Sequence, residues 1–209
     1  MGMDCAERLT PLSVMVLALL REGDMHPYEM IRLMRQRHDD RLAPITNGTV
    51  YHTVGRLQKL ALLAELGVDR DGNRPERTTY TLTDEGRAIV VEWVRRELPR
   101  VDRPEQFRVA LAESHNLDRS EVLELLHERR RALQGQFNFH SDGRQKAAER
   151  AVPAQYLIEI EREAALLEAD LRWLDTLIHR LEKREFAWGA EASGAPSDRY
   201  LADRKAARS

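Results

Sequence analysis

The chain of 209 residues has one cysteine, Cys5, which excludes an intrachain disulfide and suits a reducing compartment. Net charge is nearly absent: 33 Lys and Arg stand against 35 Asp and Glu, a formal −2. The protein is therefore not globally basic, and any nucleic-acid role must rest on local charge. Long hydrophobic runs are missing. The longest, LSVMVLALL at 12–20, is too short to span a bilayer, and it lacks the basic flank and cleavage site of a secretion signal. We expect a cytoplasmic protein with no membrane contact. Catalytic signatures are lacking as well. The 7 His are scattered, Ser114 and His115 are adjacent in a way no triad uses, and there is no HExxH, CxxC or GxxxxGK[ST]. No enzyme activity, metal or other cofactor is expected.

What is present is a helical pattern with one interruption. Residues 1–9 look loose. Thr10 and Pro11 open a helix to about Arg21 that is apolar nearly all round, hence buried on most sides. EGDMH reads as a turn. Pro27 starts a second helix, PYEMIRLMRQRH, with Tyr28, Ile31 and Leu33 or Met34 facing inward. DDRLAP ends it, because Pro44 disfavours helix at Ala43. A third helix covers 47–63, capped by Thr46 or Asn47.

The period then changes from helical to alternating in AELGVDR (64–70) and RTTYTLT (77–83), with Leu66 and Val68, then Tyr80 and Leu82, on one side. DGNRPE between them is a turn, so the pair is a β-hairpin with a charged tip. Thr83 caps a fourth helix, DEGRAIVVEWVRREL. Helix, helix, helix, hairpin, helix is the order of a winged helix-turn-helix domain, assigned to residues 1–100. Pro99 to Pro104 forms the seam to a helical domain, 101–185. It holds a short helix from Pro104 to about His115, a longer one from about 119 to 138 with Asp118 and Glu121 as a capping box, a loop in GQFNFHSDGRQK, and a long helix from about Val152 to Glu185. Residues 186–209 read as a mobile tail. The fold class is mainly α.

Two stretches carry function. In NGTVYHTVGRLQKLALL, Val50, Val54, Leu57 and Ala61 form one narrow apolar face. The other face holds Thr49, His52, Gly55, Arg56 and Lys59 and no acid. A recognition helix needs this division, since arginine can fork onto guanine while Lys and Thr reach phosphates. Gly55 on that face would let the backbone come close to a phosphate. Arg70, Arg74 and Arg77 cluster at the hairpin tip, although Asp69, Asp71 and Glu76 dilute their charge. In the long helix, Leu157, Ile160, Ala164, Leu167, Leu171, Leu174, Ile178 and Leu181 form a heptad seam. It must pack on the earlier helices, on a second copy, or on both; dimerisation is its expected role. A two-fold dimer would set two recognition helices roughly 34–36 Å apart, one DNA turn. Trp93 and Trp173 are weak candidates for an effector pocket.

With these residues laid out, the chain resembles the PadR family of bacterial transcriptional regulators. The carriers are LTPLSVMVLALL, MHPYEMIRLMRQR, NGTVYHTVGRLQKLALL, RPERTTYTLTDEGR, EVLELLHERRRAL and YLIEIEREAALLEADLRWLDTLI, in that order. The resemblance implies a homodimer joined mostly by its last helix. It also implies binding to an inverted-repeat operator in double-stranded DNA, usually as a repressor released by a small-molecule effector. Asn47, Thr49, Tyr51 and His52 match the start of the family's recognition helix, Arg56 and Lys59 its basic continuation, and Arg74 and Arg77 the basic positions of the wing. Pro27-Tyr28-Glu29 stands where many members have Gly-Tyr-Glu. The competing reading is a protein-interaction module that uses the winged domain as scaffold and the heptad helix for a different partner. The balance of 15 basic against 15 acidic residues in 1–100 leaves room for it.

Overall fold

The computed structural model describes residues 6–69, 77–192, 202 and 205–207. Helix α1 (Pro11–Arg21) starts where Thr10 Oγ1 accepts from the Ser13 amide, and its residues 12–20 are all buried. Helix α2 (Pro27–Gln36) follows, then a 3₁₀ turn at Asp39–Arg41, then α3 (Asn47–Lys59). Thr46 caps α3 in a reciprocal box with Thr49, which satisfies two of the helix's orphan donors. Strands β1 (Leu63–Asp69) and β2 (Arg77–Leu82) pair antiparallel. Met25 adds a bridge to Tyr80, its amide donating to the Tyr80 carbonyl at 3.1 Å and its carbonyl accepting at 3.0 Å. EGDMH is thus more than a turn: it lends the wing a third strand-like residue. Helix α4 (Asp84–Glu97) follows from the Thr83 cap.

Gly86 fixes how α4 meets β1. A Cβ there would lie 2.0 Å from the Leu62 carbonyl oxygen, so only glycine permits the approach. The hairpin departs from strict alternation. The register shifts between Glu65 and Gly67, and Leu66, expected on the core side, is 58% exposed at that bulge. Leu63 and Leu82, directly paired, make the buried contact instead.

The helical domain consists of α5 (Pro104–Ala112), a 3₁₀ turn at Ser114–Asn116, α6 (Arg119–Glu149) and α7 (Ile158–Glu182). Three expectations need correction. The loop expected at GQFNFHSDGRQK is helix, because α6 runs unbroken to Glu149. Gly135 and Gly143 each cost roughly 1 kcal/mol against Ala, but Gln, Lys, Arg and Ala favour helix and no proline breaks it. The last helix starts later than Val152, since Pro153 holds a 3₁₀ turn over Ala154–Tyr156. Asp118 sits at the N-cap of α6 without a side-chain cap bond, and Glu121 pairs with Arg95 of α4.

α6 and α7 form an antiparallel hairpin, and its base joins the winged domain in one continuous core. The seam at Pro99–Pro104 is bridged by polar groups. Arg129 of α6 is buried, donates to the Arg100 carbonyl, and lies 3.4 Å from the centre of the Phe107 ring. Burial pulls its pKa down to about 10. Residues 6–9, expected to be loose, are anchored: Ala6 and Leu9 are buried, and Arg96 donates to the Ala6 carbonyl at 2.7 Å. In the stretch read as a mobile tail, Phe186 and Trp188 pack partly buried on the core, and Trp188 Nε1 donates to the Leu117 carbonyl at 2.9 Å.

Candidate nucleic-acid interface

α3 divides as its sequence requires. Val50, Thr53, Val54 and Leu57 are buried, while Asn47, Gly48, Thr49, Tyr51, His52 and Lys59 are exposed. Ala61 leaves the apolar face. It ends the helix at φ 57, exposed, with its carbonyl accepting from Thr83 Oγ1 at 2.9 Å. No acid lies on α3. Gly48 and Gly55 have nothing within 4 Å of a built Cβ, so no neighbour demands glycine at either position.

α2 completes the surface. Tyr28, expected to face inward, is 40% exposed, and the Arg32 guanidinium stacks 5.7 Å from its ring centre. Arg35 donates to Asn47 Oδ1 at 3.1 Å, joining α2 to the first turn of α3. Tyr51, 48% exposed, meets His26 edge-to-face at 6.2 Å. The pattern of α3 alone does not mark Arg32 and Arg35, and Tyr28 stands outside where the sequence pattern places it inside. The signal was available in Pro27: a proline at N1 fixes the entry of α2, and Tyr28, Arg32 and Arg35 then follow at i, i+4 and i+7 on one face.

Arg56 requires correction. It is half-buried, and its guanidinium donates to Ser13 Oγ at 2.5 Å and to the Arg8 carbonyl at 3.3 Å. It clamps α3 to α1 and does not lie with the exposed groups. Thr49 is exposed, but its hydroxyl serves the cap, donating to the Thr46 carbonyl at 3.0 Å. Arg70 and Arg74 lie outside the described residues, and Arg77 opens β2.

The heptad seam is the second correction. Ala164, Leu167, Leu171, Leu174, Ile178 and Leu181 are buried within the single chain, while Leu157 and Ile160 are half-buried. The seam holds α7 onto the rest of its own chain, chiefly α6. A different set is exposed along the hairpin: Phe139 (76%), Tyr156 (68%), Ile158 (66%), Leu166 (46%) and Trp173 (44%). The weak effector candidates fare differently from each other. Trp93 is fully buried in the core, and Trp173 stands on the outside of α7, edge-on to Phe107.

Residues 16–92 match the transcriptional regulator PadR-like family. The winged domain belongs to that family. The match runs from the second turn of α1 through most of α4, which includes the whole exposed surface of α2 and α3. Beyond it, the chain is similar to solved structures at low identity. One is Bacillus subtilis PadR in complex with operator DNA, at 16% identity, 83% of this chain, 98% of that chain and a TM-score of 0.41. The same protein in complex with p-coumaric acid gives 16%, 83%, 99% and 0.36. A PadR-like transcriptional regulator from Bacillus cereus gives 18%, 81%, 94% and 0.33. No curated protein matches the chain. Among the described residues, no helix is long and apolar enough to cross a membrane.

Proposed function

We propose that this PadR-like protein is a dimeric repressor that reads an inverted-repeat operator with α3 and is released by a small molecule. The observation that carries the reading is the exposed, acid-free outer face of α3, extended by Tyr28, Arg32 and Arg35 of α2. His52, Asn47 and Tyr51 would meet base edges, while Arg32, Arg35 and Lys59 would meet phosphates. Arg74 and Arg77 would grip the backbone from the wing.

The dimer contact is reassigned with the seam. The heptad residues are consumed inside the chain, so a second copy would sit on Ile158, Leu166 and Trp173 of α7 with Phe139 of α6. Two hairpins packed in this way make a four-helix bundle. For an effector to release DNA, it must bind the DNA-incompetent arrangement of the two winged domains better than the competent one.

In-vitro selection from a random duplex pool tests the reading. The expected product is an inverted repeat with half-sites about one helical turn apart. A folded, dimeric protein that enriches nothing, with and without candidate effectors, would overturn it and favour the protein-interaction reading.

A further inference from the structure

Ser13 is out of character for its place. It is the polar residue in the run LSVMVLALL at 12–20, and it is fully buried there. A buried hydroxyl without a partner costs free energy. This one has partners on both sides. Thr10 Oγ1 stands 2.8 Å from Ser13 Oγ and also accepts from the Ser13 amide at 3.3 Å. From α3, Arg56 Nη2 donates to Ser13 Oγ at 2.5 Å. A hydroxyl oxygen has two acceptor lone pairs, and a charged donor makes the stronger class of hydrogen bond to them. The other arm of the guanidinium reaches the Arg8 carbonyl at 3.3 Å. That segment is tied down in turn, since Ala6 and Leu9 are buried and Arg96 of α4 donates to the Ala6 carbonyl at 2.7 Å.

The place of this node on α3 gives it leverage. α3 rests on α1 and the core through Val50, Val54 and Leu57. Apolar burial is non-directional: it opposes lifting the helix off, and opposes rolling it about its own axis far less. Directional bonds have to supply the rest. Arg35 of α2 holds the first turn through Asn47 Oδ1 at 3.1 Å. Arg56 is a second fixed point, roughly 14 Å further along the axis. It lies at i+4 from His52 and i−3 from Lys59, both exposed, so it is their neighbour on the helix surface. A change of roll at Arg56 passes straight to those two side chains.

We infer that Ser13 is a specificity-determining positioning residue: buried away from DNA itself, it sets the roll of α3 through Arg56 and so decides where His52 and Lys59 meet the operator. The inference rests on the DNA-binding reading of α3 proposed above. A residue kept at position 13 only for its small size, so that α1 and α3 can pack, would be replaceable by alanine without effect. A residue kept for its hydroxyl would not.

Ser13→Ala in the full chain tests this, and alanine, the better helix former, keeps the fold. Anisotropy titrations use the operator recovered by selection and a random duplex of the same length. Operator affinity should fall roughly tenfold. Affinity for the random duplex and the salt-dependence slope should stay as they are, since no charge is removed. Arg56→Met should lower the ratio of operator to random affinity at least as much. The Ser13→Ala, Arg56→Met double variant should lower it no further than Arg56→Met alone, because the two side chains act as one unit. Equal losses on both duplexes, no loss on either, or losses that multiply in the double variant would overturn the inference. A wild-type chain that binds no duplex overturns the DNA reading instead, and amide hydrogen exchange in the free protein then decides the positioning. Ser13→Ala should speed exchange over residues 54–59 at least about tenfold and leave α1 as protected as before. Unchanged exchange there, or exchange faster throughout the chain, overturns the role of Ser13 as well.

Discussion

The winged domain and the outer half of the α6–α7 hairpin use their apolar residues in opposite ways. In the first, α1 is buried along nearly its whole length, and α2, α3 and α4 close over it. In the second, the described part of α6 has no buried residue beyond Leu133, and α7 has none before Ala164. Phe139, Tyr156 and Ile158 stand exposed there. A two-helix hairpin buried on one side lacks the layer that a stable bundle needs. The winged domain can thus spare an entire polar surface for a ligand, whereas the hairpin's exposed surface is still apolar. The lesson is that an exposed face has to be read together with what its own element has already buried. A polar face on a satisfied helix can be left to solvent or a charged ligand, whereas an apolar face on a half-satisfied one still has area to bury.

The sharpest way to break this comparison is to remove the same kind of side chain from each region. Leu17 of α1 is fully buried. Leu17→Ala should cost about 2–5 kcal/mol, read by denaturant unfolding, because a rigid core relaxes only partly around the cavity. Leu166→Ala in the hairpin should cost under about 1 kcal/mol in a chain diluted to monomer, since less apolar area leaves water. Equal costs would show that the hairpin is as densely packed as the winged domain.

A smaller but more specific effect is expected from making the hairpin face polar. Phe139→Ser with Ile158→Ser should raise the dimer dissociation constant at least about tenfold, about 1.4 kcal/mol, in sedimentation equilibrium. The helical circular-dichroism signal should stay. A dimer of unchanged strength would move the interface elsewhere and return the apolar face to the solvent. At the winged domain the matching change acts on DNA alone. Lys59→Ala should leave folding intact, lower affinity equally for specific and random duplex, and reduce the salt-dependence slope by roughly 1 for each phosphate that the side chain neutralises. An effect confined to the selected operator would mean that Lys59 reads bases.

Much of the winged domain was legible because local signals agreed. Thr10, Thr46 and Thr83 cap α1, α3 and α4, and the change from helical to alternating period marked the hairpin. What was illegible was direction. A heptad repeat shows that a helix is apolar on one side but not whose surface covers it: the earlier helices and a second copy both fit the pattern, dimerisation is the role expected from it, and Leu167 and Leu174 are buried within the single chain, where α6 packs on α7. Arg56 lies at the edge of its helix face, and only the fold brings Ser13 and the Arg8 carbonyl within its reach. Trp188 lies in a stretch that composition marks as tail, and only the fold brings its indole to the Leu117 carbonyl.

The smallest expected change separates the two regions most cleanly. Gly55 and Gly135 both sit inside helices with nothing within 4 Å of a built Cβ. Neither is required by packing, unlike Gly86. Alanine at either site should therefore stabilise the fold by about 0.5–1 kcal/mol, through helix propensity and a smaller loss of backbone entropy. The functional consequences should diverge. On α3 the missing side chain bares the helix backbone between His52 and Lys59, on the face proposed to meet DNA. Gly55→Ala should therefore raise the melting temperature and yet weaken operator binding several-fold in a filter-binding or anisotropy titration. Gly135→Ala should raise the melting temperature and leave operator binding as it was. Stability and affinity moving in opposite directions at Gly55 alone would mark it as a position kept for close approach. Stability and affinity rising together there would make it an ordinary helix glycine, and the outward face of α3 would then owe its reading to Tyr51, His52 and Lys59 without help from the bare backbone.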